Sequence, residues 1–197
     1  MKDINQILGK TDIYLIDQIV KGRYQNSDVI LDAGCGQGRN LHWFYNNEFT
    51  IYGIDANEDN IEKLKKIYPK GVNNFSVSKI EELNFKDDFF NHIICNAVMH
   101  FANNETHFIK MFDELMRVLK SKGTLFIRVA SDIGIRDKIK HISNGVYKLP
   151  DGTNRYLVSK TLLKKLNETN TFKLLEPLKT VNVNDLRCMT TLVIQKK

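Results

Sequence analysis

The sequence predicts an α/β protein built on a doubly wound, mostly parallel sheet of seven strands, with a C-terminal antiparallel hairpin. Three observations carry this expectation. Up to residue 130, apolar segments alternate between strand-like and helix-like spacing, and strand–helix–strand alternation needs crossovers, which pair strands in parallel. Residues 29–31 and 125–127 are wholly apolar, as strands covered on both faces must be. Gly34, Gly36 and Gly38 fall between the first strand and the helical segment after it, where a tight turn is needed.

Each element follows from its spacing. Residues 4–19 read as a helix, with Ile4, Ile7, Leu8, Leu15, Ile16 and Ile19 at three- and four-residue intervals. A buried strand covers 29–31, a helix 38–47 and a strand 49–54. The helix 57–68 stops at Pro69, because proline has no N–H to continue the ladder. Strands cover 74–77 and 89–95. The helix 105–119 carries one apolar stripe of Phe108, Met111, Phe112, Leu115, Val118 and Leu119. A turn at 121–123 leads into a strand at 124–129. Residues 131–158 show no clear period, and a connection of that length is usually a lid or substrate loop. A helix at 159–167 precedes strands 172–175 and 190–194, the expected hairpin. The organisation is a single domain over 1–197: an N-terminal helical lid (1–27), a ligand-binding core (28–130), a substrate loop or lid (131–158), and a helix with the hairpin (159–197).

The composition narrows the classes. With 197 residues, 42% hydrophobic and 26% charged, the chain has the balance of one globular domain. The longest uncharged stretch, from residue 91, is cut by Glu105 and rich in Asn, so no membrane span of ~20 apolar residues is expected. The start, Met1-Lys2-Asp3-Ile4, lacks the apolar core of a signal peptide. Cys35, Cys95 and Cys188 are isolated, with no CxxC pair; a zinc ribbon and a redox dithiol are disfavoured, no metal is expected, and the odd count fits a reducing cytoplasm. The net charge is 29 − 23 = +6, but the cations are scattered. The densest group, Lys63, Lys65, Lys66 and Lys70, sits beside Glu58, Asp59 and Glu62 and reads as a solvated helix face, not a nucleic-acid surface. Monomer and dimer both remain open.

The informative segment is Asp32-Ala33-Gly34-Cys35-Gly36-Gln37-Gly38-Arg39-Asn40. Missing side chains there let a ligand lie against the backbone. The dinucleotide fingerprint G-x-G-x-x-G would need glycine at 39 or 41, where Arg39 and Leu41 stand. No GxxxxGK[ST] phosphate loop is present. The second strand ends on Asp55, 21 residues after Gly34. A carboxylate there can accept from both hydroxyls of an unphosphorylated ribose; it can equally cap the helix that starts at Asn57.

At these residues the chain resembles the class I S-adenosylmethionine-dependent methyltransferases. Asp32 to Gly38 matches that family's first motif and Asp55 its ribose acid. Residues 89–100 (FFNHIICNAVMH) resemble the fourth-strand motif, and 117–126 (RVLKSKGTLF) the helix–turn–strand element, with Ser121 and Lys122 in place of the usual proline and first glycine. The likeness covers roughly residues 28–130. It is similar to the small, nearly capless members, including the tellurite-methyltransferase-like group with its GCGxGRN turn. The resemblance implies a Rossmann-like methyltransferase fold, S-adenosylmethionine as cofactor and S-adenosylhomocysteine as product. It implies cofactor contacts at Asp32, Gly34, Cys35, Gly36, Gly38, Arg39, Asp55, Ala56, Ile80 and Cys95. After strand three the family often has an acid for the adenine amino group; here Lys79 stands in that run, which leaves the Ile80 backbone and the apolar faces of Ile80 and Ala56.

Candidate catalytic residues are His100, Asn96 and Arg128. Asn96 and His100 follow strand four, at the end of the sheet where open α/β folds bind ligands. His100 is either a general base or a wall of the pocket. Arg128 lies in an apolar strand, so it must open into the pocket or meet an internal acid. Arg39, a cation in the first turn of a helix, opposes the macrodipole and calls for an anion, such as the methionine carboxylate of the cofactor. Cys35 reads as a small turn residue. The expected activity is methyl transfer to a small molecule, an anionic one if Arg128 and Arg155 face the pocket. The alternatives are an RNA or protein methyltransferase, a catalytically silent cofactor binder and, further off, a nicotinamide oxidoreductase.

Overall fold

The computed structural model describes residues 3–197. The expected single N-terminal helix is two: α1 (Ile4–Leu8) and α2 (Ile13–Val20). Gly9 breaks it by taking a left-handed φ of 57°, and the Asp12 side chain then caps α2 by accepting from the Tyr14 N–H. The chain continues through β1 (Val29–Ala33), α3 (His42–Asn46), β2 (Thr50–Asp55), α4 (Glu58–Ile67), β3 (Phe75–Val77) and β4 (Phe90–Asn96). The helix expected from residue 38 begins only at His42, because Gly38 has φ 77° and cannot join it. A 3₁₀ turn, Pro69–Asn74, fills the gap before β3.

α5 (Glu105–Val118) leads directly into β5 (Leu119–Ser131). The turn expected at 121–123 is instead an irregular stretch inside that strand: the register shifts between Phe90 and His92, and Lys122 takes φ 63°. Residues 131–158 are not an open loop. They contain β6 (Lys140–Ser143), β7 (Val146–Lys148) and β8 (Asn154–Tyr156), a separate antiparallel sheet in the order β6–β7–β8. α6 (Lys160–Glu168), β9 (Phe172–Leu174), β10 (Lys179–Val183) and β11 (Arg187–Lys196) complete the chain.

The main sheet runs β10–β11–β5–β4–β1–β2–β3, with β9 also on β11. The β1–β5 pairings are parallel, and β11 runs against β5. The C-terminal hairpin exists, but its partner strand is β10, which sequence reading passed over; the expected strand at 172–175 pairs with the far end of β11. Seven sheet positions therefore hold eight strands.

Both faces are covered, as the apolar runs required. Leu31, Ile93, Ile127 and Val129 pack with Phe108, Phe112 and Leu115 of α5 and Leu162 of α6. Ile30, Ile94 and Phe126 face the other way, onto Leu15 of α2, Phe44 of α3 and Leu64 of α4. α2 is fastened at its far end by an ion cluster: Lys21, Arg23 and Lys179 all meet Glu176, and Lys21 and Lys179 also meet Asp17. Despite partial burial, those cations hold Glu176 down at about 2. α2 is thus part of the core, whereas α1 buries none of its residues. At the amino end of the strands His92 bridges Asp28 (2.9 Å) and Thr124 (2.6 Å), and burial lowers its pKa.

Candidate active site

The carboxyl ends of the parallel strands carry a row of polar side chains on the face that α2 covers. Asn96 of β4 is in register with Arg128 of β5, and Arg128 with Thr191 of β11. Asp32 of β1 pairs with Ile94, two residues before Asn96, and so shares that face. Each member has a buried polar atom without a hydrogen-bond partner among the described residues: Asp32 Oδ2, both amide atoms of Asn96, Arg128 Nε and Thr191 Oγ1. Buried polar groups are almost always paired, so a row of orphans marks a place shaped for something else. Sequence reading missed Thr191; its signal is a hydroxyl pair, Thr190-Thr191, inside the apolar strand Arg187–Lys196.

The glycine turn runs along the edge of this row. Gly34, Gly36 and Gly38 have φ of 78°, 53° and 77°, the left-handed region that penalises a side chain. Their surroundings differ. A Cβ at Gly34 would lie 2.3 Å from Val98, and one at Gly38 2.3 Å from Leu64 and 2.6 Å from Tyr68, whereas a Cβ at Gly36 would meet nothing within 4 Å. Gly34 and Gly38 are glycine for packing; Gly36 faces open space. That space is a cleft of about 630 Å³ lined by Gly34, Gly36, Arg39, Asn40, Tyr68 and Asn96, among others.

Of the roles its position suggested, Asp55 does not take that of cap to α4, which Asn57 caps with its own side chain; it braces the glycine turn and the entry to that helix. Its Oδ2 accepts from the Gly36 N–H at 2.8 Å, and its Oδ1 from the Asn57 N–H at 2.9 Å and the Asn60 amide at 3.2 Å. Asp32 is 1% exposed. Burial pushes its carboxyl up to about 7, with Arg39 pulling it down and Asp55 pushing it further up. Cys35 and Cys95 are buried, and burial raises both thiols; they fill space. Ala56 is exposed after β2, while Ile80 lies in the core.

Arg128 meets an internal acid. Its Nη1 donates to Asp12 Oδ2 at 3.3 Å, and its guanidinium lies 5.1 Å over the Tyr14 ring. Arg39 precedes α3 instead of opening a helix, and its nearest carboxylate is the same Asp12, at 3.7 Å. Asp12 thus ties the start of α2 to both the glycine turn and β5, helped by its N–H donating to Asn40 Oδ1 at 3.2 Å. His100 is buried, with Nδ1 accepting from the Ala130 N–H at 3.4 Å. Burial, together with the Arg155 and Arg187 charges, depresses it to about 4. No cluster of three potential metal ligands occurs among the described residues, and no described helix is long and apolar enough to cross a membrane.

An open glycine and an unpaired amide on one cleft, with an orphaned carboxylate oxygen just before the glycine turn and an acceptor acid bonded to Gly36, fit a ligand that carries a ribose and an ammonium group. Residues 31–127 match a methyltransferase domain family. Among relatives, an uncharacterized protein of Methanocaldococcus jannaschii is 29% identical over 84% of this chain and 73% of its own length. The tRNA (carboxymethyluridine(34)-5-O)-methyltransferase of Arabidopsis thaliana is 32% identical over 53% of this chain, which spans only 24% of that protein. Among solved structures, the Burkholderia thailandensis 1,6-didemethyltoxoflavin-N1-methyltransferase, with its substrate and S-adenosylhomocysteine bound, superposes with a TM-score of 0.71 at 16% identity, over 100% of this chain and 82% of that one. Residues 31–127 thus carry a methyltransferase domain, and the fold is the one found in S-adenosylmethionine-dependent methyltransferases. S-adenosylmethionine is the cofactor of those structural neighbours.

Proposed function

We propose that this chain methylates a small-molecule acceptor, and that the acceptor is anionic. The observation that supports it best is the orphaned polar row, Asp32, Asn96, Arg128 and Thr191, beside the open face of Gly36. When bound, S-adenosylmethionine supplies a methyl group already activated by its sulfonium. The protein's task is then alignment and exclusion of water. Gly36 leaves room for the ligand, Asp55 offers lone pairs to ribose hydroxyls, and Asp32, protonated in the fold up to about pH 7, gives up its proton when a positive group sits beside it. His100 acts as an orienting donor: its Nδ1 is taken by the Ala130 N–H, so its proton sits on Nε2, and with a pKa of about 4 it is a poor base. The anionic reading rests on Arg155, which makes no ion pair among the described residues and lies over Phe101, next to His100, and not on Arg128 or Arg187, which are committed to Asp12 and Asp151. α1, none of whose residues is buried, rests on α3 through the His42 contact to the Gln6 carbonyl, and the Gly9–Lys10 segment after it borders the cleft as a lid.

The named Arabidopsis relative acts on a tRNA, which keeps an RNA acceptor as the second reading. Methyl transfer from labelled S-adenosylmethionine, measured against a panel of small organic acids and against tRNA, separates the two. Label entering tRNA alone overturns the small-molecule reading.

A further inference from the structure

The small sheet β6–β7–β8 carries a feature that the glycine turn does not explain. Across β6, β7 and β8, His141 is in register with Tyr147, and Tyr147 with Arg155. Register partners share one face of a sheet, so these three side chains form a single row. The His141 and Tyr147 rings are 5.1 Å apart at 70°. The row continues onto the segment after β4: the Arg155 guanidinium lies 4.7 Å over the ring of Phe101, and Phe101 meets His100 edge-on at 4.8 Å. Tyr147 packs on the same small apolar cluster as Ala97, and Ala97 lines the cofactor cleft. The row therefore runs from the cap sheet to the edge of the site.

Two members are left without the partners that their chemistry calls for. Phe101 is 57% exposed although its neighbour His100 is buried. Arg155 makes no ion pair among the described residues, its Nη1 donating only to the Asn154 carbonyl at 2.7 Å. Arg187, by contrast, meets Asp151 at 3.6 Å. An aromatic face and an uncommitted planar cation in contact form a recognition element for a flat ring bearing an acid group: the ring stacks, and the guanidinium forks onto the carboxylate.

We propose that Phe101, Tyr147 and Arg155 select a planar aromatic or heteroaromatic acid as the methyl acceptor. This rests on the methyltransferase reading above, and the experiment keeps the two apart. Calorimetry first measures S-adenosylhomocysteine alone; no binding sinks the methyltransferase reading itself. With S-adenosylhomocysteine saturating, the protein is titrated with quinoline-2-carboxylate, quinoline and cyclohexanecarboxylate. The expected order has the planar acid at least 10-fold tighter than either the neutral ring or the non-planar acid. Arg155→Met should remove the preference for the acid while leaving quinoline unchanged, and Phe101→Ala should weaken both planar probes. Bound S-adenosylhomocysteine with equal or absent binding of all three probes overturns the proposal. So does a uridine-containing RNA stem-loop that binds more tightly than the planar acid and loses affinity in the same variants.

Discussion

Asp32 holds the most unusual charge in the molecule. Its carboxyl keeps a proton up to about pH 7 in the fold but loses it near 3.8 when unfolded. Between those values the folded state binds more protons, so stability falls as pH rises from about 4 to 7 and stays low above that. Asp32→Asn removes this cost. Denaturant melts should show a gain of ~3–4 kcal/mol at pH 8 and almost none at pH 4. The gain should come with loss of S-adenosylhomocysteine affinity, as expected where a site stores strain. Equal gains at both pH values would mean that Asp32 is not held protonated. Asp55 is a different kind of acid, partly exposed and already accepting three hydrogen bonds. Asp55→Ala should lower S-adenosylhomocysteine affinity ~10- to 100-fold, the range of one or two charge-assisted hydrogen bonds. Loss of its bond to the N–H of Asn57, the residue that caps α4, should cost about 1 kcal/mol of stability. Calorimetry and a melt on the same sample distinguish the two effects.

At the scale of elements, the glycine turn and α2 give opposite kinds of test. Gly36 and Gly38 share a left-handed backbone but not their neighbours. Gly38→Ala drives a methyl into Leu64 and Tyr68 and should lower the melting temperature by several degrees, with binding lost only because the fold is lost. Gly36→Ala meets no protein atom; the fold should survive and S-adenosylhomocysteine binding should drop at least 10-fold. Similar melting temperatures for the two variants would contradict the distinction. α2 depends on Asp12. Arg128→Met leaves that carboxylate with Arg39 alone, at 3.7 Å. The expected cost is about 2–3 kcal/mol, below the roughly 3–5 typical of breaking a fully buried pair because one cation remains. A double-mutant cycle with Asp12→Asn should recover much of it.

For the whole molecule, the cofactor is the simplest probe. A ligand that binds only the native state stabilises by mass action, ~2.7 kcal/mol at 100 times its Kd. S-adenosylhomocysteine should therefore raise the melting temperature by several degrees while NAD leaves it unchanged; a shift with NAD alone would put the chain in another class. The sequence by itself determined the succession of strands and helices that makes the core parallel, the turn at Gly34–Gly38 and the acid at Asp55, because these depend on short-range facts: apolar runs, glycine conformation and residues a fixed distance apart; the spatial order of the strands came from the structure. It misread residues 4–19 as one helix because apolar spacing continues across Gly9 and Asp12, which end and cap the helices on either side. It passed over β10 and the cap sheet because their strands, such as Lys140–Ser143, are short and exposed, and an exposed strand has no apolar face to betray its period. Only the tertiary structure decided what Arg128 meets, since Asp12 is 116 residues away in the chain. The same holds for the row from His141 to Phe101: the register of the small sheet and the contact of Arg155 with Phe101 bring those side chains together, and such pairing is invisible to local pattern.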